Sequence, residues 1–279
     1  MAGATVPPLT LIDIGANLAH DCFDVDRAQV MQRARAAGVA AMIVTGSTLD
    51  DTDNAIALCR RFPEVLRATA GVHPHHATTL QAGDRARLAD LLADPLVVAA
   101  GECGLDYFRN FSPPAEQRRA FELQLGLADE RERPLFLHQR DAHADFLALL
   151  RTHPHAASRA VLHCFTGGPE ELEDCLALGL SVGVTGWICD ERRGQALRDA
   201  VPRIPGERLM LESDAPYLLP RTIRPKPAHR RNEPATLPVV LEETARHLGK
   251  MPATLAAETT ANACRFFGIT LSTDANRLI

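Results

Sequence analysis

The chain has 279 residues, 46% of them hydrophobic, with 30 Lys and Arg against 35 Asp and Glu for a formal net charge of −5. That length and composition fit one large domain, or two small ones, with a substantial buried core. Seven cysteines, an odd number with no CxxC pair, exclude a disulfide framework and a zinc knuckle; with no basic leader at the start and no apolar run of ~18 residues, they lead us to expect a cytoplasmic protein without a targeting segment or membrane span.

Residues 9–14 (LTLIDI) form the first short apolar run, and 24–38 follow with helical spacing. A second run, 39–45 (VAAMIVT), precedes a helical stretch over 50–62. The third, 66–72 (LRATAGV), ends in GVHPHH, carrying His73, His75 and His76. The fourth, 96–101 (LVVAAG), delivers Glu102 in GECGLD and leads to a helix over 113–130. The fifth, 134–138 (PLFLH), stops on His138 in FLHQRD, before a helix over 142–153. The sixth, 159–163 (RAVLH), stops on His163 in VLHCFTG, before a helix over 169–179. The seventh is 180–185 (LSVGVT), and the eighth, 208–212 (RLMLE), runs into LESDAPY with Glu212 and Asp214. Helical spacing over 237–249 and 252–268 predicts two closing helices that cover the barrel. Several of these helices open on acidic residues or Pro and close near Gly. Eight strands alternating with helices predict parallel strands joined by crossovers, and hence an α/β fold of the (β/α)₈ TIM-barrel type: one domain over 1–279 with its core in about 9–268. A doubly wound open sheet is the alternative.

In such a barrel the C-terminal ends of the strands share one mouth. A lone His or Glu at a strand end is ordinarily a hydrogen-bonded structural residue. Glu102, His138, His163 and Asp214 stand at four corresponding ends, far apart in sequence, and two imidazoles with two carboxylates suit Zn²⁺, Mn²⁺ or a hydrated Mg²⁺. A buried unpaired carboxylate at Glu102 is costly, so a cation is expected beside it. Cys103 and Cys164 each follow a candidate ligand directly; strand alternation predicts that both turn away from the mouth into the core. The segment 221–234, RTIRPKPAHRRNEP, places Arg221, Arg224, Lys226, Arg230 and Arg231 just after the last strand, where phosphate sites recur in this fold. A solvated proline-rich loop is its plain alternative. Arg192 and Arg193 in CDERRG are further candidates, and Trp187 sits in a loop whose role the residues leave open. With aromatics at 5% of the chain, reading of bases by stacking is not indicated.

The motifs GVHPH (71–75), GECGLDYFRN (101–110), HQRDAH (138–143), HCFTG (163–167), TGWICDERRG (185–194), SDAPYLLPR (213–221) and RRNEPA (230–235) resemble those of the TatD-type metal-dependent deoxyribonucleases, within the amidohydrolase-like barrel superfamily. They run in family order over about 9–268. The resemblance implies Glu102, His138 and His163 as metal ligands, Asp214 as ligand or proton acceptor, and His73 as a contact to substrate phosphate. It further implies a Mg²⁺-dependent 3′–5′ exonuclease preferring single-stranded DNA, with RNA as a second substrate, in DNA repair or nucleic-acid turnover. A monomer is expected. Many relatives open with D-x-H-x-H, whereas this chain has Asp13, Gly15 and Asn17 in LIDIGANL; one firmly held metal is therefore expected, with any second one weak. Replacing Gly15 and Asn17 by His is expected to create a second tight site.

Two other functions use the same mouth: a small-molecule amidohydrolase, which has no need of five basic residues beside it, and a catalytically idle barrel that binds nucleic acid or a protein partner.

Overall fold

The computed structural model describes residues 9–271; the first residues of the chain, on which part of the expectation of no targeting segment rests, lie outside them. Eight strands stand where the eight apolar runs predict them: β1 (Leu11–Ala16), β2 (Val39–Val44), β3 (Leu66–Ala70), β4 (Val97–Asp106), β5 (Leu135–Arg140), β6 (Ala160–Leu162), β7 (Ser181–Val184) and β8 (Leu209–Leu211). Their order in the sheet is the order in sequence, and each successive pair is parallel. Between β8 and β1 the barrel is closed by the segment after β8: Asp214 N–H donates to the Gly15 carbonyl at 2.8 Å, Asn17 N–H to the Ala215 carbonyl at 2.7 Å, and Ser213 N–H to Asp13 Oδ1 at 2.9 Å. Sequential order and this closure exclude the doubly wound alternative.

The connecting helices are α1 (Arg27–Ala36), α2 (Leu49–Arg61), α3 (Arg85–Ala93), α4 (Pro114–Glu130), α5 (His143–Thr152), α6 (Pro154–Ala157), α7 (Pro169–Ala177) and α8 (Gln195–Ala200), followed by α9 (Leu237–Leu248) and α10 (Pro252–Phe267). The end signals are physical: in α2, Thr48 Oγ1 accepts the Asp51 N–H, Asp50 and Asp51 stand in the first turn, and Arg60 and Arg61 in the last, each complementing the helix dipole. The short helix α3 is not among the stretches that sequence spacing singles out, and neither are α6 and α8.

Alternation along the strands sorts the core into two clusters. Leu11, Val39, Leu66 and Leu135 face the helices, whereas Ile12, Ile14, Ile43, Phe136, Val161 and Met210 face the barrel axis, where Ala263 and Phe267 of α10 pack beneath them. α10 thus plugs the N-terminal end of the barrel and leaves the other end as the mouth. Strand β4 is the exception in length: its ten residues are all buried and carry the backbone past Glu102 to Asp106. Within it Gly104, at φ 144°, pairs with His138 of β5, and any side chain there would collide with the His138 backbone. The glycine lets β5 approach between two carboxylates, and the His138 ring meets both of them.

Candidate active site and metal centre

Four strand ends bring their side chains to one oxygen. Glu102 Oε1 lies 2.9 Å from His138 Nδ1, 3.3 Å from His163 Nε2 and 3.3 Å from His73 Nε2. Burial alone pushes the Glu102 carboxyl up, but the imidazoles of His73, His163 and His138 hold it well below the usual carboxylate range. Glu102 is therefore an anion in a site almost closed to solvent.

The hydrogen bonds on the far side of each ring fix what faces Glu102. His163 Nδ1 is 2.7 Å from Glu212 Oε2, whose other oxygen accepts the Cys164 N–H at 2.5 Å. The proton of neutral His163 is thus drawn to Nδ1, leaving a lone pair on Nε2 aimed at Glu102. Burial pushes the His163 imidazolium down, yet Glu212 and Glu102 hold its pKa well above the ordinary imidazole value, a measure of how strongly the surroundings attract positive charge. His73 is the reverse case. Its Nδ1 accepts the His75 N–H at 3.0 Å, so the proton sits on Nε2, and burial drives its pKa down to about 4 despite Glu102. Neutral at physiological pH, His73 presents a donor. The atoms of His73, Glu102 and His138 lie close enough to enclose an ion, but the hydrogen bond to His75 makes His73 the wrong tautomer for a ligand through Nε2.

His138 lies between Glu102 and Asp106, its Nε2 3.4 Å from Asp106 Oδ2; that buried nitrogen has no hydrogen-bond partner in good geometry. Although burial pushes its carboxyl up, Asp106 is held below the ordinary range by His138, by His75 at 2.7 Å and by the Arg109 N–H. On the other flank, His163, Cys164 and Asp214 offer a second set of closely spaced donor atoms. Burial first, then the charges of Glu102 and Glu212 against the opposing pull of His163, push the Asp214 carboxyl up to about 7. Its Oδ1 accepts from Asn17 Nδ2 at 3.3 Å.

These residues fit a divalent cation. Closely spaced donor atoms of Glu102 and His138 and of His163 and Asp214 stand at one mouth, and the carboxylates of Glu212 and Glu102 hold the His163 pKa well above its ordinary value, so the pocket favours a positive charge there, which a cation supplies in place of the His163 proton.

Glu102, His138, His163, Asp214 and His73 are brought together as expected; the basic segment behaves differently. Arg231 is engaged inside the protein, with Asp26 at 2.6 Å, Glu233 at 3.0 Å and the Phe23 ring beneath it. Arg221 pairs with Glu191 at 2.9 Å on the surface. Arg230 is exposed and, among the described residues, makes no ion pair. Cys103 is core, as alternation predicts. The expectation for Cys164 is corrected: β6 ends at Leu162, Cys164 adopts φ 47°, and its Sγ turns toward the site, 3.6 Å from Thr185 Oγ1. The reading of Gly15 is corrected too. A side chain there would collide with the Glu212 carboxylate and press on Phe136, and one at Gly183 would meet the same carboxylate. Glu212 fills the space between the two glycines, so Gly15→His displaces the group that orients His163 instead of adding a ligand. The signal for Glu212 was its place at the end of β8, two residues before Asp214.

A family profile described as TatD related DNase matches residues 12–268. The chain is 51% identical to a protein named 3′-5′ ssDNA/RNA exonuclease TatD from Erwinia amylovora, covering 93% of this chain and all of that one. To the protein of the same name from Edwardsiella piscicida it is 55% identical, over 85% of this chain and 91% of that one. Among solved structures, YjjV, a TatD homolog from Escherichia coli, superposes with a TM-score of 0.85 at 27% identity, over 93% of this chain and 98% of that one. A hydrolase TatD family protein from Entamoeba histolytica gives 0.83 at 27% identity, over 94% and 99%.

Proposed function

The chain belongs to the TatD related DNase family, and from that membership we propose that it is a metal-dependent exonuclease that removes nucleotides from the 3′ end of single-stranded DNA, and of RNA, in nucleic-acid repair and turnover. The observation that carries the reading is the meeting of Glu102, His138 and His163 at the end of the barrel where Asp214 and His73 also stand.

Glu102, His138 and His163 are the residues to hold the ion, with Asp214 beside them; Mg²⁺ is the ion we expect, Mn²⁺ and Zn²⁺ its competitors. When bound, a divalent cation supplies Lewis acidity toward the scissile phosphate and lowers the pKa of a water. The chain's own groups do the rest. Asp214, its pKa near neutrality and one oxygen held by Asn17, accepts the proton of the attacking water. His73 donates from Nε2 to a non-bridging phosphate oxygen, orienting the ester without adding net charge. Glu212 keeps the His163 proton on Nδ1. Among the basic residues after β8, Arg230 is free to meet the substrate backbone and Arg221 reaches it by exchanging Glu191 for phosphate, whereas Arg231 would have to leave a cluster of ion pairs with Asp26, Glu233 and Arg33.

The test is a ladder. Purified, metal-stripped protein given 5′-labelled single-stranded DNA and Mg²⁺ should produce successively shorter labelled products, and none with a chelator. Labelled mononucleotide as the first product indicates attack from the other end, and an uncut strand overturns the reading.

A further inference from the structure

Beside the site just described, a cleft of about 350 Å³ opens at the C-terminal ends of β5, β6 and β7, lined among others by Arg140, Thr166, Gly167, Trp187 and Arg193. It belongs to the same mouth. Arg140 is the second residue after His138 on β5, Thr166 the third after His163, and Trp187 the second after Thr185, whose hydroxyl accepts the Trp187 N–H.

The guanidinium carbon of Arg140 lies over two aromatic rings, 5.1 Å from the centroid of Phe108 and 5.2 Å from that of Trp187, which Arg193 also covers at 4.3 Å, and the Arg140 Nη1 donates to Thr166 Oγ1 at 2.9 Å. Its carboxylate neighbour, Asp141, is exposed and 3.6 Å away, beyond hydrogen-bond reach. The contrast with other arginines of this surface is plain: Arg231, Arg221 and Arg193 each hold a carboxylate at 2.6–2.9 Å. An oriented guanidinium without a short acidic partner, beside the proposed phosphodiester-cleaving centre, has N–H groups to donate to a phosphate oxygen. The aromatic surroundings suit a nucleic-acid ligand further. In a chain poor in aromatic side chains, Phe108 and Phe111 after β4 and Tyr217 after β8 are the large aromatic residues left exposed among the described residues, and all three stand at the mouth. Glu171 also lines the cleft, which disfavours a second anion there and leaves the Arg140 side as the anion-accepting wall.

We propose that the cleft of Arg140, Trp187 and Phe108 is the subsite for the nucleotide next to the one being released: Arg140 pairs with its phosphate while its base lies against the exposed Phe108 ring, with Trp187 in the wall behind Arg140. The proposal rests on the nuclease reading above. It also adds a backbone contact outside the basic segment 221–231.

Trp187 is the chain's single tryptophan, so its fluorescence reports on this cleft alone. Titrating the wild-type protein, in Mg²⁺, with a short oligothymidylate carrying slowly cleaved phosphorothioate linkages should shift or quench that emission, and thymidine 5′-monophosphate should do so far more weakly. Arg140→Gln should move the midpoint to about ten-fold higher oligonucleotide concentration, the loss expected of one charge-assisted hydrogen bond. On cleavable oligonucleotide the same variant should raise KM more than it lowers kcat, and raise it more than KM for bis-p-nitrophenyl phosphate, which has no neighbouring nucleotide. A wild-type protein that degrades DNA with no change in Trp187 emission overturns the subsite and leaves the nuclease reading standing. A wild-type protein that neither binds nor cuts the strand overturns both.

Discussion

Glu212 is where the structure makes its sharpest prediction. Its carboxylate is fully buried, fills the space left by Gly15 and Gly183, and accepts from His163 Nδ1 and from the Cys164 backbone. In Glu212→Gln the shape is kept but one acceptor becomes a donor. If the amide oxygen stays with Cys164, the NH₂ group faces His163 Nδ1; the ring must then carry its proton on Nε2, the atom 3.3 Å from Glu102, and can no longer offer a lone pair there. If the amide is turned over, the NH₂ group faces the Cys164 N–H instead. The first arrangement keeps each of these contacts at the expense of the Nε2 lone pair; the second sets two buried donors against each other, at about 1–3 kcal/mol, or a Tm lowered by roughly 2–10 °C. The loss of ring orientation should weaken metal binding and turnover roughly 10- to 100-fold, the usual scale for a partner of a metal-bound imidazole. Glu212→Ala orphans two donors and opens a void, at about 3–6 kcal/mol, and should accumulate poorly as folded protein. Calorimetric titration of Mn²⁺ into metal-stripped wild type and Glu212→Gln, with melting curves on the same samples, measures both effects. Wild-type metal affinity in a folded Glu212→Gln would refute the tautomer argument.

Glu102→Gln should abolish turnover and strong metal binding while retaining the circular dichroism of the wild type; near-normal activity with Mg²⁺ removes Glu102 from the site. Gly15→Ala should destabilise the protein by about 1–3 kcal/mol, since its Cβ intrudes on Glu212 and Phe136, and Gly15→His with Asn17→His should lose affinity at the first site; a gained tight site, seen by titration, contradicts the packing. Arg230→Ala should flatten the slope of log K against log[salt] for single-stranded DNA by roughly 0.7 with no change in Tm, whereas Arg231→Ala should lower Tm by removing one of the two arginines, Arg231 and Arg33, that hold Asp26 and Glu233. The hydrogen bond from Arg231 holds the Asp26 carboxyl below its usual range; a depressed folded-state pKa gives stability that is full above the unfolded value and is lost as pH falls through the folded one. The wild type should therefore lose this contribution, about 1 kcal/mol or less for a partly exposed pair, on acidification below about pH 4, and Arg231→Ala should show a correspondingly smaller loss in acid melting curves.

The barrel was legible because parallel strands buried on both faces read as unbroken apolar runs, and a charged or imidazole residue at the end of such a run stands out. Glu102, His138, His163 and Asp214 were visible for that reason. Alternation misleads at Cys164 because it assumes strand geometry two residues past the point where β6 stops. The basic run 221–231 reads as a patch along the chain, with Glu233 as its one nearby acid, but the shorter ion pair of Arg231 is to Asp26, 205 positions away, where no local pattern points. Gly15 looks like a missing ligand beside D-x-H-x-H; only the packing reveals that a carboxylate from the last strand occupies its place. Arg140 and Trp187 meet across three loops, a juxtaposition that neither residue's own surroundings announce.

The claim on which the rest depends is that Glu102, His138 and His163 hold a divalent cation. Crystals soaked in Mn²⁺ and measured at a wavelength where manganese scatters anomalously test it without recourse to activity. The account predicts a strong peak between the Glu102 carboxylate and the rings of His138 and His163, lost in Glu102→Gln crystals. A peak centred instead on Asp106 and His75, or none at the mouth of the barrel, would contradict it.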